Sequence, residues 1–191
     1  MNDNKAIIKG SIMDVAQSGN TALALLDAKL LLICDRSGSM AGHDAMGGKA
    51  RYEVEDEIVR DLQAKYPGQV VLEAFGDNAI LCLNGELPYP NSGTTVYSYA
   101  LKLAQSLVKA GMRAVLISDG EASDSWDEIR KSAEPLRGAL DIVFVGPDIA
   151  PGRGLLDKLS AYVSGTLDYN DLKSKQKLFE TLERKLLSRG A

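Results

Sequence analysis

In 191 residues the chain has only two cysteines, one histidine and one tryptophan. Cys34 and Cys82 each lie inside an apolar run (LLLIC and AILCL), as small core residues do, so neither a disulfide framework nor a thiolate metal site is expected. His43 stands alone, and without a Cys or His cluster the usual zinc ligand sets are missing. A basic surplus is missing too. There are 26 acids against 22 Lys and Arg, a formal charge of −4, which argues against a general nucleic-acid binder. Long hydrophobic runs are absent. The most apolar stretch, Ala22 to Cys34, is interrupted by Asp27 and Lys29 and falls short of the roughly 18 residues a membrane span needs. The opening MNDNKAIIKGSIMDVAQ has no apolar block ahead of a small-residue cleavage site, so it does not read as a signal peptide. These absences place the expected protein in the cytoplasm, away from membranes and nucleic acid. What is present, 45% apolar and 25% charged residues, is the composition of an ordinary globular domain. At this size no staples are needed to bury a core.

No repeat, low-complexity tract or Pro/Ser-rich linker interrupts the chain. Residues 4–27 read as helical, with a break near Gly19-Asn20, and form an N-terminal helical extension over 1–28. From Lys29 onward short apolar runs alternate with amphipathic segments. Lys29 to Cys34 is a continuous apolar run ending at an aspartate. Residues 51–65 carry Val54, Ile58 and Leu62 on one helical face. Gln69 to Phe75 and Asn78 to Leu83 are strand-like and are joined only by Gly76-Asp77, a link that suits antiparallel strands alone. A helix is expected from about 95 to 109, a strand over Ala114 to Ile117, and a helix opened by the capping box Ser125-Trp126-Asp127-Glu128. Next come a strand at Ile142 to Val145, a short helix over 153–162, an edge strand near Gly165 to Tyr169, and a last helix over 171–189 stopped by Gly190. The six basic residues near that last helix read as a solvated face.

Apolar strands alternating with helices predict an α/β fold. The expected form is three-layered, Rossmann-like and doubly wound. Its six-stranded, mostly parallel sheet has one antiparallel edge strand and helices on both faces. Such sheets bind ligands beyond the carboxyl ends of their strands. Three segments at those positions carry hard oxygen donors. The first is Asp35-Arg36-Ser37-Gly38-Ser39-Met40, directly after the most apolar strand. The second is Ser92-Gly93-Thr94-Thr95, before the 95–109 helix. The third is Asp119 in Ser118-Asp119-Gly120. Carboxylates and hydroxyls on converging loops suit a small hard cation, which takes one or two protein carboxylates and keeps other positions for water. Asp77 reads as a turn residue, and Thr94 or Thr95 could equally cap the following helix.

The three loops in this order resemble those of the von Willebrand factor type A (vWA) domain, over roughly residues 29 to 189, with Phe75-Gly76-Asp77 and Val145-Gly146-Pro147 as further points of likeness. The resemblance implies a vWA domain over 29–191. It also implies a metal-ion-dependent adhesion site (MIDAS) in which Asp35, Ser37, Ser39, a threonine and Asp119 hold Mg²⁺ or Mn²⁺. Thr94 follows the glycine, as the family threonine does, and is slightly preferred. Thr95 better matches the spacing to Ala100-Leu101.

By the same resemblance the function is non-enzymatic: divalent-metal-dependent binding of a protein partner whose acidic side chain completes the metal shell. An intracellular adaptor or regulatory subunit would fit, including one in an AAA+ ATPase or chelatase-like complex. The alternative is a metal-assisted phosphohydrolase with Asp35 as nucleophile. Against it, the position two residues on is Ser37 rather than a second carboxylate, no general base is placed nearby, and no Gly-rich phosphate loop is present.

Overall fold

The computed structural model describes residues 6–16, 20–90, 93–109, 111–147 and 152–188. Its centre is a sheet of β1 (Leu30–Asp35), β2 (Val70–Phe75), β3 (Ala79–Leu81), β4 (Arg113–Ser118), β5 (Leu140–Val145) and β6 (Leu167–Asn170). The strand order is β3-β2-β1-β4-β5-β6. All neighbours run parallel except β2 and β3, which are antiparallel. All six residues of β1 are buried. A parallel strand covered on both faces needs apolar side chains on both, so β1 shows no polar alternation.

Among the described residues seven α-helices flank the sheet: α1 (Ile12–Val15), α2 (Thr21–Asp27), α3 (Arg51–Lys65), α4 (Tyr97–Lys109), α5 (Trp126–Ala133), α6 (Arg153–Val163) and α7 (Lys175–Leu187). Because successive strand residues point to opposite faces, the core divides in two. Leu31, Ile33, Leu116 and Ile142 pack with Ala100, Ala104, Ile129 and Leu156 of α4, α5 and α6. Leu30, Leu32, Ile117 and Val143 pack with Ile58, Leu62, Leu178 and Leu182 of α3 and α7. The expected three-layer arrangement is therefore the observed one. Cys34 and Cys82 are both buried and are not joined in a disulfide.

Two helix expectations are revised. Among the described residues the N-terminal helix is confined to α1 and α2, and residues 6–11 are not helical. Ile8 N–H donates to Asn84 O (2.9 Å) and Met13 N–H to Leu83 O (3.0 Å). Gly10 has φ +81°, and a β-carbon there would come within 2.1 Å of Gln63 O. The close approach to α3 thus demands glycine and breaks any helix at this point. The last helix begins at Lys175 rather than 171. Asn170 and Asp171 fold the chain locally by accepting from Leu172 N–H (2.9 Å) and Lys173 N–H (3.1 Å), a turn that competes with helix. Gly190 lies outside the described residues.

Of the basic residues in this region, Lys173, Lys177 and Arg184 are exposed as expected, and three form ion pairs. Lys175 pairs with Asp61 at 2.8 Å, Arg184 with Asp168 at 3.1 Å, and the buried Lys185 with Asp168 at 2.7 Å.

Candidate metal centre

β1 and β4 are adjacent and parallel, with Cys34 opposite Ile117. Asp35 and the Ser118-Asp119 pair therefore emerge side by side at the carboxyl edge of the sheet. Both aspartates are buried, Asp35 fully and Asp119 to 1% exposure. Asp35 Oδ1 accepts from Ser37 N–H (2.8 Å) and Oδ2 from the Ser118 hydroxyl (2.6 Å). The Tyr97 hydroxyl stands 2.5 Å from Ser118 Oγ. Since Ser118 spends its proton on Asp35, Tyr97 is the donor. Burial, and then the neighbouring Asp119 charge, push the Asp35 carboxyl up to about 6. The Ser118 and Ser37 bonds act in the opposite direction. Two buried carboxylates with too little positive charge are in the situation a bound cation relieves.

The first loop turns sharply after Asp35 and places Ser37 Oγ 3.1 Å from Ser39 Oγ. Between Asp35 and Ser37, Arg36 faces the other way. Its guanidinium is buried and meets Asp56 at 2.5 Å and Glu55 at 3.3 Å on α3, which fastens the loop to that helix. Burial pushes the Glu55 carboxyl up to about 7 despite Arg36.

The second loop is described from Gly93 onward, so Ser92 lies outside the described residues. Asp77, expected as a turn residue, reaches this loop. Its Oδ1 accepts from both the Thr94 amide and the Thr94 hydroxyl, the latter at 2.9 Å. A β-carbon at position 93 would lie 1.9 Å from Asp77 Oδ2, so only glycine leaves room for this contact. Thr95 is buried, and its N–H donates to Ser123 Oγ at 3.1 Å. The start of α4 is capped not by either threonine but by Asp124, which accepts from Tyr97 N–H (3.3 Å) and Ser98 N–H (2.7 Å). Ser123 and Asp124 thereby join the third loop to the second. Ser37, Ser39, Thr94 and Thr95 line one cavity of about 240 Å³ together with Glu121 and Ser123.

The third loop turns at Gly120, with φ +86° and no space for a β-carbon because Gly152 O would lie 2.2 Å away. Asp119 Oδ1 accepts from Glu121 N–H at 3.4 Å, and Oδ2 is bound by Arg51 Nη1 at 2.8 Å. His43 is on the surface, with Nδ1 3.1 Å from Gly48 O, and takes no part in the site.

The fold brings all three oxygen-bearing loops to one place. Arg51, Asp77, Tyr97, Ser123 and Asp124 escaped sequence reading because each acts on residues distant in the chain. Asp77 alone left a trace, as the acid at the end of the β2–β3 link. Among the described residues no group of three His, Cys, Asp or Glu side chains could hold a metal. The donor set is two carboxylates plus hydroxyls, which suits a hard cation with waters completing its shell.

No family model matches the chain, and no curated protein matches its sequence. Solved structures do match its fold. One is an aerotolerance-related membrane protein from Bacteroides fragilis carrying multiple mutations to serines, with TM-score 0.64, 16% identity, and coverage of 84% of this chain and 99% of that one. A von Willebrand factor type A from Catenulispora acidiphila matches with TM-score 0.64 and 15% identity over 84% of this chain and 43% of that one. Proximal thread matrix protein 1 from the mussel byssus, with a zinc-occupied MIDAS motif, matches with TM-score 0.60 and 15% identity over 84% and 45%. The chain thus spans less than half the length of the latter two. The strand order, the two helical layers and these likenesses define the fold as that of vWA domains.

Proposed function

We propose that this chain is a divalent-metal-dependent protein-interaction module and not an enzyme. The vWA unit would span residues 29–191, with 1–28 as an N-terminal extension. The observation that carries the reading is the pair of buried aspartates, Asp35 and Asp119, at adjacent strand ends beside a cavity lined by Ser37, Ser39 and two threonines. These residues would hold the ion: Asp35 and Asp119 as carboxylates, Ser37 and Ser39 through their hydroxyls, and Thr94 or Thr95 from the second loop. When bound, a divalent ion supplies a Lewis-acidic position that accepts a carboxylate. The chain's own contribution is to hold Asp35 between Ser37 N–H and Ser118 and to leave the cavity open for a partner's Asp or Glu.

Mg²⁺ or Mn²⁺ fits this all-oxygen set best. The mussel protein takes zinc in its own motif, so the lack of cysteine and histidine does not by itself exclude zinc here. An intracellular regulatory role, including one in an AAA+ or chelatase-like complex, is consistent with the sequence. Among the described residues no helix is long and apolar enough to cross a membrane. The phosphohydrolase alternative gains nothing from the geometry, because the hydrogen-bond partners of Asp35 are Ser37 N–H and the Ser118 hydroxyl rather than a general base.

The test is direct. Mn²⁺ or Mg²⁺ at about a hundred times its dissociation constant should stabilise the wild type by about 2.7 kcal/mol, raising its melting temperature. Asp35→Ala should show neither the shift nor heat of binding in calorimetry. An unchanged wild type with and without chelator defeats the proposal. Metal-dependent phosphate release from a generic ester, lost in Asp35→Asn, would favour the enzyme.

A further inference from the structure

A cation of the chain's own already stands at the site. Arg51, the first residue of α3, donates from Nη1 to Asp119 Oδ2 at 2.8 Å. It grips Asp44 with two parallel bonds, Nε to Oδ1 at 2.8 Å and Nη2 to Oδ2 at 2.6 Å. The side chain is 12% exposed, Asp119 2% and Asp44 42%. The guanidinium also runs close past two glycines. A β-carbon at Gly42 would be 3.6 Å from its carbon, and one at Gly146 3.5 Å. Arg51 N–H also donates to Gly42 O at 3.1 Å, so backbone and side chain together fix its place. None of this follows from the DxSxS pattern, and Arg51 lies 16 positions after Asp35.

We propose that Arg51 is a positioning residue that sets the divalent affinity of the site, holding Asp119 in place while its fixed positive charge lowers the attraction for a metal ion. This rests on the reading of Asp35 and Asp119 as metal-binding carboxylates. Two opposed effects are at work. The Arg51 bond orders Asp119, which favours any ligand that needs it. Its charge repels a second cation close by, and between side chains as little exposed as Arg51 and Asp119 that repulsion is only weakly screened. One bond to one oxygen can be replaced by a neutral donor, whereas the charge cannot, so the charge decides. Asp44, more exposed than its partners, partly neutralises the guanidinium and keeps the brake incomplete. The ion would then be held loosely enough for a partner carboxylate to matter to its retention.

The experiment measures Mn²⁺ binding by calorimetry, with melting temperature in metal and in chelator, for the wild type, Arg51→Gln and Arg51→Lys. Arg51→Gln retains a donor for Asp119 but no charge, and Arg51→Lys retains the charge. Arg51→Gln should bind Mn²⁺ about ten-fold tighter than wild type, the change expected from removing one nearby charge. It should also melt lower in chelator, because Asp119 loses its ion-pair partner, while gaining a larger rise on adding metal. Arg51→Lys should stay within about three-fold of wild type. Binding by Arg51→Gln alone, with none in wild type, overturns the proposal as stated, because the brake would then be complete and the wild type would hold no ion. Equal or weaker binding by Arg51→Gln, with wild type binding normally, overturns it and leaves the metal site standing. No binding by any of the three overturns both.

Discussion

Thr94 and Thr95 are neighbours in the chain, yet the structure treats them differently. The Thr94 hydroxyl donates to Asp77 Oδ1 at 2.9 Å, which holds it against that carboxylate. Thr95 is buried, lines the same cavity, and has its amide fixed by Ser123. Position in the sequence slightly favoured Thr94, and the hydrogen bonding favours Thr95. Thr95→Val is therefore expected to weaken Mn²⁺ binding roughly ten-fold, the usual scale for disturbing a metal shell. Thr94→Val should cost less, and calorimetry on the two variants separates them. The aspartates and serines of the site were legible because each belongs to a short motif at a strand end. Asp77, Arg51 and Asp124 were not, since what qualifies them is contact with loops 17 to 68 residues away, and a linear reading has no access to that.

At the scale of the element, β2 contains an anomaly. Glu73 lies mid-strand, fully buried, between Ile33 of β1 and Leu81 of β3. Among the described residues neither of its carboxyl oxygens has a hydrogen-bond partner. Burial alone pushes this carboxyl up to about 9 from 4.5. Between those values the unfolded chain gives up the proton that the folded chain keeps, so stability present at low pH is lost as pH rises through the window. Glu73→Met is expected to be more stable than wild type, by roughly 3 kcal/mol at pH 7 on the linkage arithmetic. Its advantage should grow from pH 5 to pH 8 in denaturant titrations. Most elements were readable from their apolar spacing. The ends of α1 and α7 were not, because the chain's close approach to α3 at Gly10 and the side-chain turns at Asn170 and Asp171 override helical patterning.

At the scale of the whole molecule, the described part of the N-terminal extension, 6–16 and 20–28, is part of the packing. Ile12 is 1% exposed and belongs to the same core as Leu31, Tyr97 and Leu101. Gly68 N–H donates to Gly10 O at 2.9 Å, which ties the segment to the turn before β2. Ile12→Ala is expected to destabilise the protein by about 2–4 kcal/mol through lost burial and the cavity left behind. A lowered urea midpoint with an unchanged slope is the measurement that checks it. A segment that merely hung from the domain would show no such loss. The N-terminal apolar residues had no assigned role in the sequence because periodicity says that a face is apolar, not what covers it.

The acid excess of four and the scarcity of cysteine and histidine bounded the chemistry from the start. The sequence by itself determined the alternation of buried strands and amphipathic helices, and with it the sheet. It also determined which strand ends carry carboxylates and hydroxyls. Those are local properties, set by side-chain period and by residue type. Only the tertiary structure decided that Asp35 and Asp119 are buried side by side, that Asp77 occupies Thr94, and that Arg51 places a positive charge on Asp119. Each of these depends on distance and on exclusion of water. Electrostatics acts through space, and the chain's order does not encode which charges will share it.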